Sequence, residues 1–257
     1  MSAMSVTIAI AGKGGTGKTT VAALLVSRLV AAGRTPVLAV DADPNSCLDA
    51  ALGVQVTQTV GKVREEAREL AGKGLGAGIS KQELLELKIA ESLVEAEHFD
   101  LIAMGRCEGP GCYCYANNVL KQVIERLADD YPVIVIDNEA GLENLSRRII
   151  RRVDLLVMVT DPSRAGLTTV ERLHRLAQEM DLDYGALAIV VNRLRDGTLP
   201  EGAEAVQHAT GADLLLGIPA DETLAALGER GESLRGLNGH GAIVEQIDRL
   251  ITQAGRR

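Results

Sequence analysis

The chain has 257 residues, 46% of them apolar and 24% charged, which excludes disorder as the main state and suffices to bury one sizeable core. A formal net charge of −8, one phenylalanine, four tyrosines and no tryptophan argue against a general phosphate-backbone binder and against a base-stacking surface. No apolar run reaches the ~18 residues of a bilayer span, and four cysteines in a chain this long make no disulfide framework and fit a reducing cytosol.

Short β-branched and aliphatic runs alternate with helical stretches. Strands are predicted at Val6–Ala11, Pro36–Val40, Asp100–Met104, Val133–Ile136, Leu155–Thr160, Ala186–Val191 and Asp213–Gly217. Helices are predicted at Lys18–Ala32, Asn117–Asp129, Thr168–Met180 and Glu201–Ala209. Several strands are apolar throughout, as strands buried on both faces must be. The pattern predicts an α/β fold: a doubly wound, mostly parallel sheet of seven to eight strands with helices on both faces, in a single domain over residues 1–257. Thr57–His98 reads as mainly helical and polar, broken by Gly72, Gly74, Gly76 and Gly78, and is expected to be a mobile connection or an inserted helical subdomain. No secretory leader is expected, since Val6–Ala11 run straight into a loop, and the last helix, about Gly241–Thr252, carries Glu245, Asp248 and Arg249 without a basic amphipathic face. A soluble, cytoplasmic protein with no nucleic-acid or membrane partner is expected.

Directly after the first strand stands Gly12-Lys13-Gly14-Gly15-Thr16-Gly17-Lys18-Thr19-Thr20, followed by a helix. This satisfies the phosphate-loop pattern of P-loop NTPases in its strand–loop–helix setting. Glycines let backbone N–H groups wrap phosphate oxygens, and the helix N-terminus adds positive potential. ATP or ADP is the expected ligand, with Lys18 on the β- and γ-phosphates and the Thr19 hydroxyl on Mg²⁺.

Lys13 makes the loop similar to the deviant Walker A signature of the MinD/ParA/nitrogenase-iron-protein class. That resemblance implies a face-to-face homodimer in which Lys13 reaches the phosphates of the partner's nucleotide; a solvated loop lysine is the alternative. It further implies that Asp41-Ala42-Asp43-Pro44-Asn45 is switch I, with Asp43 activating the attacking water and Asp41 near Mg²⁺. Asp137-Asn138-Glu139-Ala140-Gly141 would be Walker B and switch II, with Asp137 in the outer sphere of Mg²⁺. Asn192, beside Arg193, would read the adenine edge, and Ile218-Pro219-Ala220-Asp221 would close over the base. Aspartates after strands also cap helices, which is the plainer reading of any one of them.

The segment Gly105-Arg106-Cys107-Glu108-Gly109-Pro110-Gly111-Cys112-Tyr113-Cys114-Tyr115 holds three of the four cysteines. Cys112 and Cys114, a C-x-C pair read as lying in a loop, supply two thiolates per chain, and a two-fold dimer would bring four together around one metal ion. Soft thiolates take Zn²⁺, Ni²⁺, Cu⁺ or an Fe–S cluster, and an ordinary or redox pair of thiols is the alternative reading of the spacing. With Asp41–Asn45 and the run from Asp137 to Arg148, the segment resembles the CooC-type carbon monoxide dehydrogenase maturation ATPases. That family implies Ni²⁺ on Cys112 and Cys114, with Zn²⁺ a possible substitute, and apo carbon monoxide dehydrogenase (or acetyl-CoA synthase) as target. Cys107 departs from the family, where proline is expected. Cys47 stands where asparagine is expected and reads as a packed core cysteine. His98, His174, His208 and His240 show no ligand spacing with the pair. Arg147, Arg148, Arg151 and Arg152 read as a solvated helix face or an acidic-partner dock. An Fe–S electron-transfer ATPase and a positioning ATPase are the alternative functions.

Overall fold

The computed structural model describes residues 5–45, 47–63, 65–66, 91–106, 112–142, 152–237 and 241–256, with the backbone alone over 112–116. In chain order these form β1 (Val6–Gly12), α1 (Lys18–Ala31), β2 (Val37–Asp41), α2 (Leu48–Leu52), β3 (Leu93–Glu95) and β4 (Phe99–Ala103). There follow α3 (Cys112–Leu127), a 3₁₀ turn at Ala128–Asp130, β5 (Val133–Asp137), β6 (Val153–Thr160), α4 (Arg164–Glu179) and β7 (Tyr184–Leu194). The last elements are α5 (Ala203–Thr210), β8 (Leu214–Pro219), α6 (Glu222–Arg230) and α7 (Gly241–Ala254). Residues 60–63 and 65–66 are also helical.

The strands make one eight-stranded sheet in the order β3-β4-β2-β5-β1-β6-β7-β8, and every pairing is parallel except β3 with β4. All seven residues of β1 are buried, because helices cover both sides of the sheet. Alternation along β1 divides its side chains between two cores. Ile8 and Ile10 pack with Leu25 and Leu29 of α1 and with Ile247 and Leu250 of α7. On the opposite face Ala9 and Ala11 meet a cluster containing Leu167 and Val170 of α4. Farther along that face, Leu120 and Ile124 of α3 join Leu38, Val40, Ile134 and Ile136. The doubly wound expectation is met, and all parallel strands point their carboxyl ends at one rim, where the phosphate loop begins. Among the described residues no helix is long and apolar enough to cross a membrane.

The structure corrects several local expectations. The stretch 57–98 is not helical throughout: its end turns into β3, which pairs antiparallel with β4 at the sheet edge. α3 starts at Cys112, so the C-x-C pair lies in the first turn of a helix and not in a loop. α4 begins at Arg164, four residues before the expected Thr168, because the Ser163 hydroxyl accepts the Gly166 N–H at 3.0 Å and caps it. Residues 64, 67–90, 107–111 and 143–151 lie outside the described residues, and with them Gly72 to Gly78, Cys107 and Arg147, Arg148 and Arg151; so does His240.

Candidate nucleotide site

Between β1 and α1 the chain must reverse while its amides face inward, and Gly17 makes that possible. Its φ of 95° suits glycine, and a Cβ there would run into the Asn192 side-chain amide. Gly17 caps α1 without a side chain and so leaves the first N–H groups of the helix no side-chain cap among the described residues, the arrangement that phosphate oxygens complete. The Lys13 carbonyl is the loop's hub, accepting from Thr16 Oγ1 at 2.9 Å and from Lys18 Nζ at 3.3 Å. Lys18 is buried, whereas Lys13, Gly14 and Gly15 are exposed.

Asn192 and Arg193 brace this loop. Asn192 Nδ2 donates to Thr16 O at 2.8 Å, its Oδ1 accepts the Arg193 N–H at 2.9 Å, and Arg193 Nη1 donates to Gly15 O at 3.1 Å. The Asn192 amide therefore holds the loop backbone, a part the sequence did not announce. Pro219 ends β8 beyond it, and Asp221 caps α6 by accepting the Leu224 N–H at 2.8 Å. Asp161, overlooked in the sequence, follows β6 in a Thr-Asp-Pro-Ser turn that precedes a capped helix. Hydrogen bonds from Ser163 hold its carboxyl below the usual range, with the positive charges of Lys13 and Arg193 adding to the effect.

Two carboxyls stand side by side at the sheet rim, since β2 and β5 pair in a register that sets Asp41 opposite Asp137. Both are 1% exposed. Burial pushes Asp137 up to about 7, against a hydrogen bond from the Thr19 side chain and the charge of Lys18. Burial likewise pushes Asp41 up to about 6, against the N–H groups of Leu48 and Asp43. Asp137 Oδ1 is buried with no hydrogen-bond partner among the described residues. Two buried carboxyls short of positive charge, one bonded to the loop threonine, form a hard-oxygen set that fits Mg²⁺. Among the described residues no group of three or more His, Cys, Asp or Glu side chains is arranged to hold a metal ion.

The neighbouring loops are tied to the same rim. The Gly141 N–H donates to Gly12 O at 3.0 Å, and Asn138 donates through Nδ2 to Ile10 O at 2.9 Å. Asp43, half-buried, accepts on Oδ1 from Asn45 N at 2.8 Å and from Asn45 Nδ2 at 3.1 Å. Cys47 is exposed, not packed in the core: α2 opens with Leu48, whose side chain takes the buried place. His174 is buried beside Tyr184, as a packed histidine. Cys112 and Cys114 open α3, which follows β4 at the rim shared with the phosphate loop.

The chain is similar to known nucleotide-binding proteins. The family model described as the CobQ/CobB/MinD/ParA nucleotide binding domain matches residues 7–234. An uncharacterized ATP-binding protein of Methanocaldococcus jannaschii is 39% identical over 247 residues, covering 95% of this chain and 96% of that protein. The carbon monoxide dehydrogenase accessory protein CooC of Rhodospirillum rubrum is 30% identical over 238 residues, 88% of each chain. Among solved structures, the septum site-determining protein MinD of Pyrococcus horikoshii, complexed with Mg-ADP, superposes with a TM-score of 0.70 at 24% identity, covering 98% of this chain and 97% of that one. A ParA family ATPase of Chlorobium tepidum gives a TM-score of 0.72 at 20% identity over 97% and 99% of the two chains, a likeness of fold.

Proposed function

We propose a function from this premise: the chain belongs to the CobQ/CobB/MinD/ParA family of nucleotide-binding domains. It is a P-loop ATPase. We read it as an ATP-driven metallochaperone that loads nickel into apo carbon monoxide dehydrogenase or acetyl-CoA synthase in the cytoplasm. The observation that carries this reading is the C-x-C pair at the start of α3, on the nucleotide rim, in a chain similar to the accessory protein CooC.

In this reading Gly12–Thr20 cradle the phosphates of ATP and the buried Lys18 neutralises them. The exposed Lys13 crosses a homodimer interface to the partner's nucleotide. Thr19, Asp41 and Asp137 would hold Mg²⁺, which when bound supplies positive charge to the phosphate oxygens. Asp43 orients the water that attacks the γ-phosphorus; the new P–O bond forms as the bond to the ADP oxygen breaks. Asn192 and Arg193 keep the loop in its binding shape, with Pro219 and Asp221 on the side of the base. Loss of the γ-phosphate releases the segments Asp41–Asn45 and Asp137–Gly141, and the dimer loosens around its cargo. The cargo is Ni²⁺, with Zn²⁺ able to take its place on two Cys112–Cys114 pairs.

The test is an anaerobic Ni²⁺ titration of reduced protein with ATP or ADP, following thiolate-to-metal absorption and molecular mass together. One nickel per dimer, lost in Cys112→Ala and in Cys114→Ala, is the expected result. ATP-dependent dimerisation without nickel binding would overturn the cargo assignment and leave the ATPase. The fold shared with MinD and ParA supports a positioning ATPase as the second reading, which salt-sensitive DNA binding or ATP-dependent vesicle binding would select.

A further inference from the structure

The carboxylate of Asp43 is held from a second strand end. Asn45 gives it two hydrogen bonds, one from its backbone N–H at 2.8 Å and one from Nδ2 at 3.1 Å, both to Oδ1. The other end of the same amide, Asn45 Oδ1, accepts Arg106 Nη2 at 2.9 Å. A planar amide held at its oxygen has its N–H₂ direction set, so the guanidinium fixes the donor that Asp43 receives. A charged donor at one end also polarises the bond at the other.

The base of Arg106 is itself immobilised. Met104 N–H donates to Asp41 O at 2.8 Å, and Met104 O accepts the Gly61 N–H at 2.9 Å. Gly105 has a φ of 66° and lies so close to Thr59 that a Cβ would collide with its side chain. The arginine thus springs from backbone clamped on two sides, while its exposed side chain reaches to Asn45, its one partner among the described residues. Both residues of that contact are exposed.

We propose that Arg106 is a positioning residue for ATP hydrolysis, orienting the Asp43 carboxylate through Asn45. The proposal rests on the reading of Asp43 as the residue that orients the attacking water. Asp43 Oδ1 is engaged by Asn45, which fixes the plane of the carboxylate, and small errors in such a group are expensive in rate.

The experiment measures steady-state ATPase kinetics, ADP affinity and thermal melting for Arg106→Gln, Arg106→Lys, Asn45→Ala, the Arg106→Gln/Asn45→Ala double variant and Asp43→Ala. Arg106→Gln should lower kcat about tenfold, in the range a displaced orienting group costs. KM for ATP, ADP affinity and melting temperature should stay at wild-type values, which a merely structural role would not leave untouched. Arg106→Lys, which keeps a charged donor, should recover part of the loss. The double variant should lose no more than either single variant, since both cut one chain of contacts. Losses that multiply, a raised KM at unchanged kcat, or full kcat in Arg106→Gln while Asp43→Ala is inactive would each overturn the proposal. Full kcat in Asp43→Ala is a different failure: it removes the role given to Asp43 and the relay with it.

Discussion

Asn192 lies 176 residues from Thr16 in the chain, yet its amide donates to the Thr16 carbonyl at 2.8 Å and sits where any side chain on Gly17 would collide. The pair acts as lock and key within one protein. Asn192→Ala removes a buried donor to Thr16 and an acceptor for Arg193, and should cost about 1–3 kcal/mol in the loop's bound shape. Calorimetric titration with ADP should show weaker binding by about tenfold or more, while near-wild-type affinity would show that the loop keeps its shape unaided. The motif singled out Asn192 for the adenine edge, while its contact with the Thr16 carbonyl could be seen only in the folded chain. Contacts such as Arg106 to Asn45 or Gly141 to Gly12 were likewise invisible, since they depend on how four strand ends meet at the rim.

Among the elements, legibility followed length and burial. Val6–Gly12 and Val133–Asp137 are apolar nearly throughout and were readable to within a residue. β3, three residues long at the sheet edge, has no pattern to read, and the five residues of α2 carry too short a period. The start of α3 was missed because glycine, proline and cysteine before Tyr113 resemble a loop. α4 illustrates a further point, since it keeps His174 buried with its Nε2 3.2 Å from Tyr184 Oη. Burial lowers the His174 pKa, so the folded state binds its proton less readily than the unfolded chain does. That contribution to stability is complete above the unfolded value of about 6.5 and is lost as pH falls through the lower folded value. Melting temperatures measured from pH 8 down to 5 should therefore decline on the acid side, and His174→Gln should flatten that decline; an unchanged slope would assign it to other groups.

At the scale of the molecule, the doubly wound architecture was legible because it needs only alternation of apolar runs and helices, whereas strand order and the paired aspartates needed the assembled sheet. β1 occupies the centre of that sheet, hydrogen-bonded to β5 on one side and β6 on the other, with all seven residues buried. The phosphate loop therefore hangs between two clocks. Its root can exchange amide hydrogens only when the whole sheet comes apart, while the exposed tip at Lys13 to Gly15 exchanges through local opening. Without nucleotide, deuterium uptake should be slowest across Val6–Ala11 and faster by orders of magnitude at Lys13 to Gly15, and ADP should slow both, since it stabilises the folded state as a whole. Equal rates at root and tip in the nucleotide-free protein would mean that they open as one unit. The anchoring has a mechanical corollary: with its foot fixed between two strands at the centre of the sheet, the loop leaves its tip and the segments at the rim as the parts that can respond to hydrolysis.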